Sequence, residues 1–192
     1  EVRAQGVVET LHGLRVADPY RALESDTPAT RAWIEAQTAR TRRELDPLQT
    51  PALRERLRQL LSIGFIDGAE STAGRLFVTL REGTREQPAL FVLQAGKLAA
   101  APLIEPARYG PRAALDYTFA SPDGRHVAFG VSDNGDERAV LRVVSAETGQ
   151  LLPERIEHAK WSSLAWLEDG TGFYYTRYPR AGEPRHDPAE ED

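Results

Sequence analysis

Ser132 lies in the part of the sequence that comes nearest to a known nucleophile motif. Residues 130–135 read Gly-Val-Ser-Asp-Asn-Gly, so the second glycine comes one residue too late for the Gly-x-Ser-x-Gly elbow of serine hydrolases. That elbow also requires a helix directly after the serine, whereas Asn-Gly is typical of a hairpin turn between two strands. We therefore predict a structural role for Ser132.

Acidic and imidazole side chains do not form a pattern that could bind a metal ion. The acidic residues of the segment 133–137 lack the ligand spacing and the closing bidentate glutamate of a calcium loop. The histidines of the sequence are His12, His126, His158 and His186. They contain no pair at the spacing of a zinc motif. We predict a solvated loop at 133–137, a packed or rim position for His126, no metal site and no cofactor.

The composition argues against several classes of partner. The net charge is −5 and no basic cluster exceeds its acidic neighbours, so we predict no binding of nucleic acid. No run of 18 apolar residues occurs, so we predict no membrane span. The sequence contains no cysteine, which excludes disulfides and cysteine catalysis within it and fits a cytoplasmic location.

The strands expected around Ser132 form a hairpin. Apolar side chains alternate with polar or small ones over residues 115–119 and 127–131, which is the period of a half-buried strand. Residues 121–124, Ser-Pro-Asp-Gly, lie between them and are typical of a tight turn, because proline fixes φ and glycine accepts a positive φ. The pattern predicts an antiparallel pair of strands joined by this turn.

This hairpin recurs along the chain. A similar glycine followed by an apolar strand occurs at Gly74, 50 residues before Gly124, and at Gly170, 46 residues after it. Strands are also predicted at 75–81 and 88–94. A repeat of about 40 to 50 residues with about four short strands is typical of β-propeller blades. Residues 67–192 are long enough for about two to three blades, too few to close a ring, so we expect an incomplete propeller that is part of a larger protein.

The first third of the chain follows a helical pattern. Thr27-Pro28 and Thr50-Pro51 each combine a capping residue with proline at the first helical position. Helices are predicted from 28 to about 45 and from 51 to about 62, after an extended arm at 1–24 with a turn at His12-Gly13. Both helices are amphipathic and need a surface on which to bury their apolar faces. Residues 1–66 are thus predicted to form an N-terminal helical arm.

Five short motifs in this order resemble the N-terminal part of the prolyl oligopeptidase (prolyl endopeptidase) family of serine peptidases. They are Val-Ala-Asp-Pro-Tyr-Arg at 16–21, Glu-Ala-Gln at 35–37, Gln-Pro at 87–88, Ser-Pro-Asp-Gly at 121–124, and Leu-Ala-Trp at 164–166 with residues 169–175. The chain departs from the family at Ala22 and Thr38, where tryptophan and asparagine are usual. The related oligopeptidase B family, which prefers basic residues, usually has Glu-Asn in place of Ala36-Gln37.

The resemblance implies a mainly β fold: the first blades of an incomplete β-propeller, preceded by a helical arm that belongs with an α/β-hydrolase domain outside this sequence. It places the catalytic triad in that domain, so no catalytic residue is expected here and this stretch alone is predicted to be inactive. The implied activity is cleavage of short peptides after proline, with the propeller controlling access. The expected partners are the hydrolase domain, the remaining blades and short proline-containing peptides.

The resemblance also suggests one substrate-binding residue, Trp161. The family has an aromatic residue at this position, on a propeller loop that lines the substrate pocket, where a ring can stack on a peptide side chain or proline. The alternative is a core position, which is usual for tryptophan in a β-rich domain and is expected for Trp166. Two other functions remain open: a non-catalytic β-propeller binding module, and an oligopeptidase B-like peptidase with a preference for basic residues.

Overall fold

The computed structural model of the chain describes residues 6–83 and 85–185. The chain divides into two compact units, Glu1–Arg58 and Gln59–Asp192. His186 and the residues after it lie outside the described residues.

The first unit begins with a β-hairpin. Strands β1 (Val7–Leu11) and β2 (Leu14–Asp18) pair in antiparallel fashion. The two-residue turn between them consists of His12 and Gly13, both with positive φ, a conformation that matches the twist of the paired strands. The turn predicted at His12-Gly13 is therefore present, and the extended residues on either side of it pair with each other as β1 and β2.

Two helices follow the hairpin. Helix α1 spans Pro28–Leu45 and helix α2 spans Pro51–Leu61, in agreement with the predicted starts. The Oγ1 atom of Thr27 accepts a hydrogen bond from the backbone N–H of Thr30 at 3.1 Å, which satisfies one of the free donors of the first turn of α1. The boundary between the two compact units falls inside α2.

Both helices expose apolar side chains. In α1, Ile34 is 52% exposed, and in α2 the exposure of Leu53, Leu57 and Leu60 is 59%, 49% and 44%. The leucines of α2 recur at spacings of three and four residues, so they form one apolar face. The helical periodicity read from the sequence is thus present, with its apolar face exposed.

The second unit is built from antiparallel sheets of neighbouring strands. The first sheet consists of β3 (Phe65–Thr72), β4 (Arg75–Arg81), β5 (Ala89–Gln94) and β6 (Lys97–Leu98). The second consists of β7 (Ala114–Ala120), β8 (His126–Ser132), β9 (Val140–Ser145) and β10 (Leu151–Ile156). A third, of β11 (Leu164–Trp166) and β12 (Phe173–Tyr175), has two strands.

The glycine repeat marks the first turn of each sheet. Gly74 joins β3 to β4, Gly124 joins β7 to β8, and Gly170 joins β11 to β12, with φ values of 76°, 66° and 70°. These turns touch from one sheet to the next: a guanidinium nitrogen of Arg75 donates to the carbonyl oxygen of Gly124 at 2.8 Å. A Cβ at Gly170 would lie 2.9 Å from the Asp123 carboxylate. The spacing of the repeat therefore corresponds to successive antiparallel sheets whose first turns are in contact.

A hydrophobic core joins the first two sheets. Phe77 and Leu90 of the first sheet cluster with Phe129 and Val144 of the second, all at most 2% exposed. Ile104, in the connection between the two sheets, belongs to the same cluster. The mainly β fold with a preceding helical segment is as predicted.

Candidate functional site

The environment of Ser132 is structural. Its side chain is 3% exposed, and its hydroxyl donates to Oδ1 of Asp116 at 2.9 Å. The chain then turns through Asn134 and Gly135, both with positive φ, and continues into β9. A strand–turn–strand connection lacks the helix that a nucleophile elbow requires. This geometry agrees with the structural role predicted for Ser132.

The loop that follows Ser132 is solvent-exposed. Every residue from 133 to 138 is exposed, as predicted for a solvated loop. Among residues 6–83 and 85–185, no three histidine, aspartate or glutamate side chains are arranged to hold a metal ion. No helix in the same residues is long and apolar enough to cross a bilayer.

Trp161 lies on an exposed turn between β10 and β11. Its side chain is 70% exposed, so the core position considered for it is wrong. A hydrogen bond from the N–H of Ser162 to the carbonyl oxygen of Ala159, at 3.3 Å, closes a four-residue turn. Trp161 is the third residue of this turn and has a φ of 52°, a conformation that favours glycine and is rare for a bulky side chain. The turn presents the indole to solvent.

The neighbouring elements hold this turn at several points. Ala159 is fully buried, and its N–H donates to the carbonyl oxygen of Ala139 at 3.1 Å. The hydroxyl of Tyr117, in β7, donates to the carbonyl oxygen of Ala159 at 2.8 Å. The ammonium of Lys160 lies 3.3 Å from a carboxylate oxygen of Glu137. The turn is thus attached both to the second sheet and to the loop that precedes β9.

Electrostatics around the turn keep the Tyr117 hydroxyl a hydrogen-bond donor. Burial raises the pKa of Tyr117 to about 12, so the phenol stays neutral at physiological pH. Partial desolvation raises the pKa of the adjacent Asp116 above its ordinary value, and the negative charges of Asp136 and Glu137 act in the same direction. The hydrogen bond from Ser132 opposes this shift.

Trp166 and His126 stack where the second and third sheets meet. Trp166 was expected to be buried and is half-buried. Its Nε1–H donates to the carbonyl oxygen of Phe119 in β7 at 3.0 Å. Its ring lies 4.9 Å from Phe173 and 6.4 Å from the imidazole of His126. Of the two alternatives predicted for His126, a packed or a rim position, its partial burial against Trp166 fits the packed one. The two tryptophans of this region differ in role: Trp166 links sheets, whereas Trp161 faces solvent.

Tyr117 is a structurally important residue that no sequence motif marks. In the alternating pattern it is one apolar residue of a predicted strand. A glycine in the paired strand was the available signal, because Gly130 lies opposite Tyr117 in the register of β7 and β8 and glycine inside a strand often marks a close approach.

Comparisons with known proteins agree with this architecture. The family model described as prolyl oligopeptidase, N-terminal beta-propeller domain, matches residues 1–191. A prolyl endopeptidase from Elizabethkingia meningoseptica is 27% identical over 190 residues, which cover 95% of this chain and 26% of that protein. Prolyl oligopeptidase A from Galerina marginata is 29% identical over 194 residues, covering 86% of this chain and 26% of its own length.

Solved structures show the same fold. A structure from a study of inter-domain dynamics in two prolyl endopeptidases has a TM-score of 0.82 and 31% identity, over 96% of this chain and 28% of that chain. Prolyl oligopeptidase B from Galerina marginata, bound to a 35mer hydrolysis and macrocyclization substrate, has a TM-score of 0.74 at 21% identity, over 93% of this chain and 29% of its own. The chain spans about a quarter of the length of the relatives it matches. It belongs to the prolyl oligopeptidase family and corresponds to that family's N-terminal β-propeller region.

Proposed function

We propose that the intact protein is a serine endopeptidase that cleaves short peptides after proline, with its catalytic triad outside these 192 residues. The observation that carries this proposal is the match of residues 1–191 to the prolyl oligopeptidase propeller family. Two relatives whose alignments cover nearly the whole chain are named prolyl endopeptidases. In this proposal the propeller restricts access of substrates to a hydrolase domain that carries out acyl transfer.

The exposed surfaces of the chain support partners within the same protein. The apolar face of α2 formed by Leu53, Leu57 and Leu60 is exposed, and burying such a face stabilises a helix. The third sheet has two strands where each of the first two has four. We therefore propose an α/β-hydrolase domain and further blades as partners, with the arm at 1–66 and the propeller from 67 onward. The cytoplasmic location stays a prediction.

We propose further that Trp161 lines the substrate pocket. An exposed indole held at the tip of a fixed turn provides a flat apolar surface with few rotatable bonds. Such a surface stacks on a proline ring or an apolar peptide side chain without requiring that the protein reorganise. The exposure of 70% and the attachment of the turn to two neighbouring elements support this role.

The test of the activity uses the full-length protein with chromogenic peptides that place either proline or arginine before the scissile bond. We expect cleavage after proline that a serine-directed inhibitor abolishes, and no turnover by residues 1–192 alone. Preferred cleavage after arginine would favour the oligopeptidase B-like alternative. Binding of peptides without turnover of either substrate would favour a binding module and contradict the proposal.

The test of Trp161 compares W161A with W161F in the same protein. If the ring stacks on substrate, W161A raises KM with little change in kcat, because a contact made equally in the ground and transition states affects binding alone. W161F keeps a ring and retains most of the affinity. Equal KM values for W161A and the parent enzyme would show that Trp161 does not contact the substrate.

A further inference from the structure

The turn that carries Trp161 is held in a conformation that its own residues do not favour. Trp161 has a φ of 52° and His158, three residues earlier, has a φ of 59°. Residues with a Cβ rarely adopt a positive φ, and they keep this conformation only where the surrounding structure enforces it. The exposed position of the indole therefore depends on contacts made elsewhere in the loop.

The contact best placed to enforce this conformation is the hydrogen bond from Tyr117 to Ala159. The Ala159 carbonyl oxygen accepts from two donors, the hydroxyl of Tyr117 at 2.8 Å and the N–H of Ser162 at 3.3 Å. The second of these bonds closes the turn. Because both bonds share one oxygen, the phenol fixes the acceptor on which the turn is built.

The position of Tyr117 is itself tightly determined. The pairing of β7 with β8 passes from Leu115 opposite Val131 to Tyr117 opposite Gly130, so Asp116 is an extra residue that forms a β-bulge. The Tyr117 ring crosses directly over Gly130, where a Cβ would lie 2.3 Å from the ring carbon Cζ. A bulge and a glycine together thus direct the hydroxyl of Tyr117 at the loop 42 residues further along the chain.

We propose that Tyr117 is a positioning residue for Trp161: its hydroxyl holds the Ala159 carbonyl and thereby keeps the indole presented to the substrate. The inference rests on the proposed role of Trp161 in peptide binding. Tyr117 does not contact substrate in this arrangement. Its effect on affinity passes entirely through the turn.

The kinetic test is Y117F in the full-length enzyme, with a short proline-containing chromogenic peptide as substrate. A hydrogen bond corresponds to a factor of about 2 to 10 in an equilibrium, so we expect KM to rise by that factor while kcat stays unchanged. The double variant Y117F/W161A is expected to be no weaker than W161A, because Tyr117 acts through the indole. Y20F, which deletes the hydroxyl of a tyrosine that is 63% exposed, is the matched control and leaves KM unchanged.

A structural readout separates the inference from the proposed function. In protein labelled with 5-fluorotryptophan, the resonance missing from W161F identifies Trp161, and unchanged positions of the other resonances show that Y117F is folded. Y117F is expected to shift or broaden the Trp161 resonance. If that resonance and KM both stay unchanged, or if Y117F raises KM further in the W161A background, the positioning role is refuted. If the resonance moves but W161A leaves KM unchanged, the positioning is supported and the substrate role of Trp161 fails.

Discussion

The close approach of Tyr117 to Gly130 predicts a large effect of a single methyl group. In G130A, an ideal Cβ would lie 2.3 Å, 2.5 Å and 2.8 Å from the ring atoms Cζ, Cε1 and Cε2 of Tyr117. Carbon atoms in contact are normally about 3.5 to 4.0 Å apart. The Tyr117 ring must therefore move by about 1 to 2 Å to restore a normal contact with the added Cβ. The backbone of Gly130 is not in the left-handed region, so the expected effect comes from the collision alone.

The magnitude follows from three contributions. Inserting a methyl into a packed site costs about 1 to 3 kcal/mol. Displacing the ring breaks the 2.8 Å bond from the Tyr117 hydroxyl to Ala159, with a net loss of about 0.5 to 1.5 kcal/mol. Replacing glycine by alanine lowers the conformational entropy of the unfolded chain, which stabilises the folded protein by about 0.4 to 1 kcal/mol. We expect G130A to lower the free energy of unfolding by about 0.5 to 4 kcal/mol.

Urea unfolding of the parent protein, G130A and G68A provides the measurement. Gly68 is the matched control, because it also lies beside a β-bulge in an antiparallel pair and has no atom within 4 Å of an added Cβ. We expect G68A to change the free energy of unfolding by less than about 1 kcal/mol. If G130A is as stable as G68A, the Tyr117 ring does not cross Gly130 as described, and the reasoning about the Trp161 turn loses its foundation.

Three further predictions concern a helix cap, a titration and a contact between sheets. T27A is expected to lower the free energy of unfolding by about 1 kcal/mol. T50A is expected to lower the free energy of unfolding by less, because Thr50 Oγ1 accepts its capping hydrogen bond at 3.4 Å and Thr27 Oγ1 accepts its own at 3.1 Å. Urea unfolding of the two variants provides the comparison. The pKa of Tyr117 is raised to about 12, so its contribution to stability is complete below the unfolded value of about 10. That contribution is lost as the pH rises toward 12, and unfolding at graded pH should show a steeper loss in the parent than in Y117F. W166F removes the 3.0 Å bond to the Phe119 carbonyl and is expected to cost about 0.5 to 1.5 kcal/mol in thermal unfolding.

Each of these predictions has a result that contradicts it. Equal stabilities of T27A and T50A would mean that the shorter hydrogen bond contributes no more than the longer one. Parallel pH profiles of the parent and Y117F between pH 10 and 12 would show that Tyr117 titrates normally. An unchanged melting temperature of W166F would indicate that the bond between the second and third sheets makes no net contribution.

Local signals in the sequence determined the elements and their repeat. Proline after threonine placed the starts of α1 and α2, because capping and the fixed φ of proline act within one turn of the chain. Alternation placed β4 at the predicted residues 75–81, and the glycines at 74, 124 and 170 located the first turn of each sheet. Each turn can be read from the sequence because its chemistry involves only adjacent residues. The propeller class followed from the regular spacing of these turns along the chain.

The tertiary structure alone decided which distant residues meet. The strands on either side of the His12-Gly13 turn pair with each other, and the indole of Trp166 reaches the carbonyl oxygen of Phe119, 47 residues away. The turn that carries Trp161 likewise depends on a distant residue. The hydroxyl of Tyr117 holds its Ala159 carbonyl oxygen, whereas alternation marks Tyr117 only as an apolar strand residue. A periodic pattern shows which side of a strand is buried, but it carries no information about the neighbour that a side chain reaches. That neighbour is set by the packing of one sheet against the next.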